Sequence, residues 1–188
     1  MHTVFYPEAV PLYALVDVFF LYSFLGWAME CCVIRREKGV WENRGFARSP
    51  FCIVYGFGAM LGYAALRPLA DNALLLFFAG ALGASGFEYL TARAMVRLFG
   101  DFWWDYSHKR FQYKGILCLE STAGWGALLV VLILWLHRAV FRLVLALPER
   151  AGWALALVLS GVYLVDFAVS FRRARRAWQA ARGAEEGA

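Results

Sequence analysis

Five apolar runs constrain this chain more than any other feature: Ala9 to Ile34, Phe51 to Leu66, Ala73 to Leu98, Gly115 to His137 and Gly152 to Phe171. Crossing a hydrocarbon core roughly 30 Å thick takes about 20 apolar residues as a helix. Lipid offers an exposed peptide group no hydrogen-bond partner, so such runs are helical. With 62% hydrophobic residues and a mean hydropathy of +0.55, the chain lies outside the range of soluble domains. The sequence therefore predicts an all-α, polytopic membrane bundle of five transmembrane helices. Residues 1–171 form one transmembrane domain and residues 172–188 a basic cytoplasmic tail. The second run is the shortest and richest in glycine, which leaves a re-entrant or broken helix open there. Met1 to Glu8 lacks the basic n-region of a signal peptide, so the first span is expected to stay in the membrane.

The net charge of +5 sits in blocks beside the apolar runs rather than along a soluble face, which argues against nucleic acid and for topology. Fifteen of the nineteen basic residues follow spans one, three and five. Arg67, Arg138, Arg142 and Arg150 alone fall on the other side. The positive-inside rule then selects an outside N-terminus and a cytoplasmic C-terminus. The tail is expected to continue span five as a helix along the headgroups, with Trp178 near the interface.

Between the first two spans, VWENRGFARSPFCIVYGFG brings Glu42, Asn43, Arg44 and Arg48 onto a short loop and passes through Ser49 and Pro50 into the membrane. A plain connector needs neither this polar run nor the glycines after it. Ionisable residues at membrane depth cost about 2.5 to 3.5 kcal/mol each on insertion scales and are seldom kept without a partner or a task. Glu30, Glu88 and Glu120 all fall in the cytoplasmic halves of spans one, three and four. Three such carboxylates in one cavity repel one another unless Arg44 pairs with them or some hold a proton. Asp17 and Asp166 stand outside this cluster, either bonding across helices or, for Asp166, pairing with the arginines that follow.

The second loop, with Trp103, Trp104, Asp105, Tyr106 and Ser107, follows Glu88 much as the first follows Glu30. Each loop leads through a cysteine, Cys52 or Cys118, to a Gly-x-Gly. This pattern suggests two tandem parallel hairpins plus a fifth helix, the two loops capping one cavity. Gly80, Gly83, Ala84 and Gly86 in the third span suggest close helix packing. His2, His108 and His137 are dispersed, and only His108 lies beside other polar loop residues. No metal-ligand spacing, phosphate-binding loop or serine-nucleophile elbow is present, so no metal or cofactor is expected and no catalytic residue is assigned.

The ordered motifs GWAMECC, NRGF, SPFCIVYGFGA, GFEY, LFGDFWWDYS and KGILCLESTAGWG, over roughly Leu25 to Leu129, resemble the bacterial membrane family known as Putative ABC-transporter type IV, the CmpB-like permeases. The resemblance implies a multi-pass protein of the bacterial inner membrane. It carries over Glu30, Asn43, Arg44, Glu88, Trp104, Asp105 and Tyr106 as motif positions. Gly45, Pro50, Tyr55, Gly56, Gly115, Cys118 and Trp125 carry over as structural ones. The chain departs from the family pattern at Ile53, Gln112 and Ile116, where that pattern has proline, asparagine and arginine. It implies a permease-like component, working as a homo-oligomer or with a separate ATPase subunit. Its Glu30, Asn43, Arg44, Glu88, Trp104, Asp105, Tyr106 and Glu120 would bind a small polar or ionic solute. Two other readings stay open from the residues: an intramembrane enzyme acting on a lipid or prenyl-phosphate headgroup, and a structural subunit of a membrane complex.

Overall fold

The computed structural model describes residues 10–186. The readings placed on Met1 to Ala9, His2 among them, and on the last two residues of the tail lie outside the described residues. The fold is an all-α membrane bundle. Its helices are α1 (Leu12–Lys38), α2 (Ile53–Leu66), α3 (Ala73–Phe99), α4 (Leu119–Leu145) and α5 (Glu149–Glu186). A two-stranded antiparallel hairpin, β1 (Gln112–Tyr113) with β2 (Leu117–Cys118), is the sheet among the described residues.

Helix ends fall where local chemistry puts them. Gly39 and Gly100 close α1 and α3 in left-handed conformations, φ 74° and 81°, which glycine adopts at little cost. Asn72 caps α3 by accepting the Leu75 amide at 3.0 Å. The fourth span starts four residues later than the apolar run suggests, because residues 112–118 turn back as the hairpin and Cys118 caps α4. It also runs on to Leu145, since Val140, Phe141 and Val144 face inward. The fifth helix is one uninterrupted 38-residue element from Glu149 through the basic stretch.

Four of these helices are long and apolar enough to cross a membrane. α2 has 14 residues, roughly 21 Å at the α-helical rise. It runs unbroken through Gly56, Gly58 and Gly62, and the 3-10 turn Arg67–Leu69 extends it. Contacts of α2 and of the loop before it tie this segment into the bundle. At one end Tyr63 of α2 packs with Leu76 of α3 and Ile133 of α4. At the other, Arg44 before α2 reaches the carbonyl of Trp103 after α3.

The main core joins Tyr13, Ala14, Val18 and Tyr22 of α1 to Leu129, Leu132, Val140, Phe141 and Val144 of α4 and Ala156 of α5. Residues 132–136 form a π turn, a wide turn that often marks functional positions. Of the small residues in α3, Gly80 packs on Leu129, whereas Gly83 and Gly86 have no neighbour within 4 Å of where a Cβ would sit. Leu74, Phe78, Leu82 and Leu90 of α3 and Leu157, Val158, Leu164 and Val165 of α5 are exposed, the surface a bilayer would cover.

Candidate functional site

The loop between α1 and α2 takes its shape from Asn43. Its Oδ1 accepts the Trp27 indole N–H at 2.7 Å and the Gly45 amide at 3.0 Å. Its Nδ2 donates to the carbonyls of Ala47 at 3.3 Å and Arg48 at 3.1 Å. A carboxamide has two donors and two acceptor positions, and the loop and α1 together use all four of them. The loop then returns onto α1, where the Cys52 amide donates to the Ser23 carbonyl at 2.9 Å and Gly56 packs against Phe19 and Ser23. Pro50 precedes this return on the exposed side.

This loop sets Arg44 beside Glu30. The guanidinium Nε lies 3.8 Å from Glu30 Oε2, and Nη2 donates to the Trp103 carbonyl at 3.3 Å. The two side chains retain 19% and 29% of their exposure, so the pair is largely removed from water. The Tyr55 hydroxyl donates to the other oxygen of Glu30. Its ring can reach there because Gly26 on α1 has no side chain; an added Cβ would overlap it.

Glu88 is 8% exposed and held by three neutral donors. The Trp125 indole N–H donates to it at 3.1 Å, the Ser121 hydroxyl at 3.2 Å and the Tyr106 hydroxyl, from the second loop, at 3.3 Å. Ser121 and Trp125 share a face of α4 because they are one turn apart. The Tyr55 and Trp125 rings, with centroids 5.4 Å apart, join the two carboxylate sites. Both hairpins make the same contact: a glutamate on the first helix meets a hydroxyl three residues after a cysteine at the start of the second. Cys52 and Tyr55 serve Glu30, and Cys118 and Ser121 serve Glu88.

Glu120 does not join the pair. Its side chain is 67% exposed and lies 3.0 Å from Lys109, so the expected cluster of three carboxylates is a cluster of two. The first turn of α4 points Glu120 outward while Ser121 points in. Trp104 and Asp105 shape the second loop. The Trp104 indole donates to the Ile116 carbonyl at 2.9 Å. Asp105 accepts the amide and hydroxyl of Ser107, each at 2.8 Å, and these bonds, the amide first, hold its carboxyl below the usual range. Gly115, φ 68°, closes the hairpin under Asp105, with its amide donating to Gln112 Oε1 at 2.7 Å. Burial pushes the Tyr106 hydroxyl above the ordinary tyrosine range, so it remains a donor at neutral pH. Asp166 of α5 bonds to the first loop rather than to another helix, accepting the Ser49 amide at 2.6 Å.

The structure also contains a buried polar contact that sequence reasoning passed over. His137 is 4% exposed, bonds the Tyr22 hydroxyl through Nδ1 at 2.8 Å and stacks on Tyr63 with centroids 3.4 Å apart. His108, the histidine singled out in the sequence, is exposed in its loop. The signal for His137 is its place at the end of the fourth apolar run.

A sequence profile of the family described as Putative ABC-transporter type IV matches residues 18–171. The chain belongs to that family. The match spans both glutamates, both loops and the whole of α2, α3 and α4. No curated protein and no solved structure matches this member of the Putative ABC-transporter type IV family.

Proposed function

We propose that this Putative ABC-transporter type IV protein binds a small monovalent cation between Glu30 and Glu88 and passes it across the bacterial inner membrane. One observation carries the reading: Glu30, paired with Arg44, and the buried Glu88, held by neutral donors alone, are joined through the Tyr55 and Trp125 rings, with Tyr106 beside Glu88. With both carboxylates ionised, the site holds one uncompensated negative charge. Aromatic faces attract a partly desolvated cation. Glu30 and Glu88 supply the charge, Tyr106 and Trp125 the wall, and Asn43, Trp104 and Asp105 the loops that enclose it. The 188 residues contain no phosphate-binding loop, so ATP-driven movement would draw on an ATPase outside them. The basic end of the bundle faces the cytoplasm in this reading.

Thermal unfolding of the purified full chain in detergent, with a panel of small cations (potassium, ammonium, guanidinium, choline), tests the proposal. At least one cation should raise the midpoint in a saturable way, and Glu88→Gln should abolish that rise. No stabilisation by any cation, or the same stabilisation in Glu88→Gln, contradicts it.

A further inference from the structure

We infer that Asp17 is a proton-binding site within the membrane, separate from the Glu30 and Glu88 pair and held as a neutral acid in this packing of α1 on α5. Asp17 is 3% exposed, and neither carboxylate oxygen has a hydrogen-bond partner among the described residues. Buried polar groups are almost always satisfied, so an orphaned carboxylate calls for a physical explanation. It sits about 8 Å along α1 from Leu12. On the same face, Tyr13 packs against Gly152 and Trp153 of α5, and Phe20 meets Tyr163 of α5 edge-on with centroids 5.9 Å apart. Those two contacts bracket Asp17 along α1.

A charged carboxylate without a partner in such a place costs several kcal/mol, whereas the protonated form costs only what an unbonded hydroxyl does. The ionisable groups on the elements packed here do not relieve it. On α2 and the turn after it these are Tyr63 and Arg67, on α4 His137, Arg138 and Arg142, and on α5 Glu149, Arg150 and Tyr163. None pairs with Asp17, and His137 is bonded to Tyr22. A metal ion is the weaker occupant, because it needs several ligands. No group of three or more metal-ligating side chains occurs among the described residues. Releasing the proton would require α1 and α5 to part and admit water or a counter-charge. Proton exchange at Asp17 is thereby tied to movement at this interface.

The test is thermal unfolding of the full chain in lipid nanodiscs, wild type against Asp17→Asn, from pH 5 to pH 8. Unfolding exposes a carboxyl that gives up its proton to water at these pH values. The wild type therefore loses stability as pH rises and the neutral isostere does not. The midpoint advantage of Asp17→Asn should grow by at least about 3 °C across the range. A flat difference, a difference of the opposite sign, or an Asp17→Asn chain that fails to fold overturns the inference, since each means that a charged, partnered Asp17 is needed. On the wild-type chain, dicyclohexylcarbodiimide, which partitions into lipid and adds to protonated carboxyls, should leave its adduct on Asp17 at pH 7.5. A peptide map with adducts on other carboxylates only also overturns it.

Discussion

Tyr55 and Trp125 stand with ring centroids 5.4 Å apart, one hydroxyl bonded to Glu30 and one indole N–H bonded 3.1 Å from Glu88. Two carboxylates on different hairpins are thus linked through a pair of aromatic rings rather than through a shared arginine. Arg44 serves one of them, Glu30, and ties it to the second loop at Trp103.

Arg44→Ala should therefore destabilise the protein through Glu30. The expected loss is about 1 to 3 kcal/mol, less than for a fully buried pair because both side chains keep some exposure. Arg44→Lys should recover part of it, and adding Glu30→Gln to Arg44→Ala should recover most. Glu120→Gln, which breaks an exposed pair, should change stability by no more than about 0.5 kcal/mol. Chemical unfolding of the four variants in detergent measures all of these.

Gly26→Ala should cost about 1 to 3 kcal/mol, because the new methyl meets the Tyr55 ring and pushes its hydroxyl off Glu30. Gly83→Ala on α3 has open space around the new methyl and should instead gain about 0.5 to 1 kcal/mol from helix propensity. Equal effects from the two would show that the Gly26 contact is not tight.

Much of this was legible in the chain and some was not. Apolar run lengths and basic blocks are visible in any window of sequence, so the bundle and its helix order could be read directly. Glu30 and Glu88 could be read because a carboxylate at membrane depth stands out. Glu120 misled because depth along a helix says nothing of rotation about it: one residue, 100° of turn, separates the inward Ser121 from the outward Glu120. Ser121 is hidden for the opposite reason, being an ordinary residue until α3 places Glu88 against it, and Trp125 is legible as a motif position but not as a donor to Glu88. Asn43 reads as a ligand residue in the sequence, but its carboxamide is taken up by three hydrogen bonds within the loop and one from Trp27 of α1, a path that depends on α1 and α2 being in place.

The second loop should be acid-sensitive. The Ser107 amide and hydroxyl depress the Asp105 carboxyl, so its contribution is present above the ordinary aspartate range, near pH 4, and lost as pH falls through its lower folded value. Amide exchange across residues 105–115 should accelerate below about pH 4 relative to intrinsic rates, and Asp105→Asn should show that faster relative exchange already at neutral pH.

Orientation is tested by cysteine labelling in a background with the four native cysteines changed to serine. A cysteine at Asn72 should react with an impermeant reagent added outside whole cells, and one at Lys109 only after the cells are opened. The reverse pattern would invert the bundle and put the two loops on the outer side.

The central claim, that Glu30 and Glu88 act as one cation site, is tested most directly by a double-mutant cycle of Tyr55→Phe and Trp125→Phe. The readout is the midpoint rise given by whichever cation stabilises the wild type. Each substitution keeps a ring and removes one hydrogen bond to one carboxylate. Either alone should sharply reduce the cation-dependent rise, and the double variant should lose little more than the worse of the two, a coupling above about 0.5 kcal/mol. Strictly additive losses, or a rise unchanged in both single variants, would mean that the two glutamates do not share a ligand.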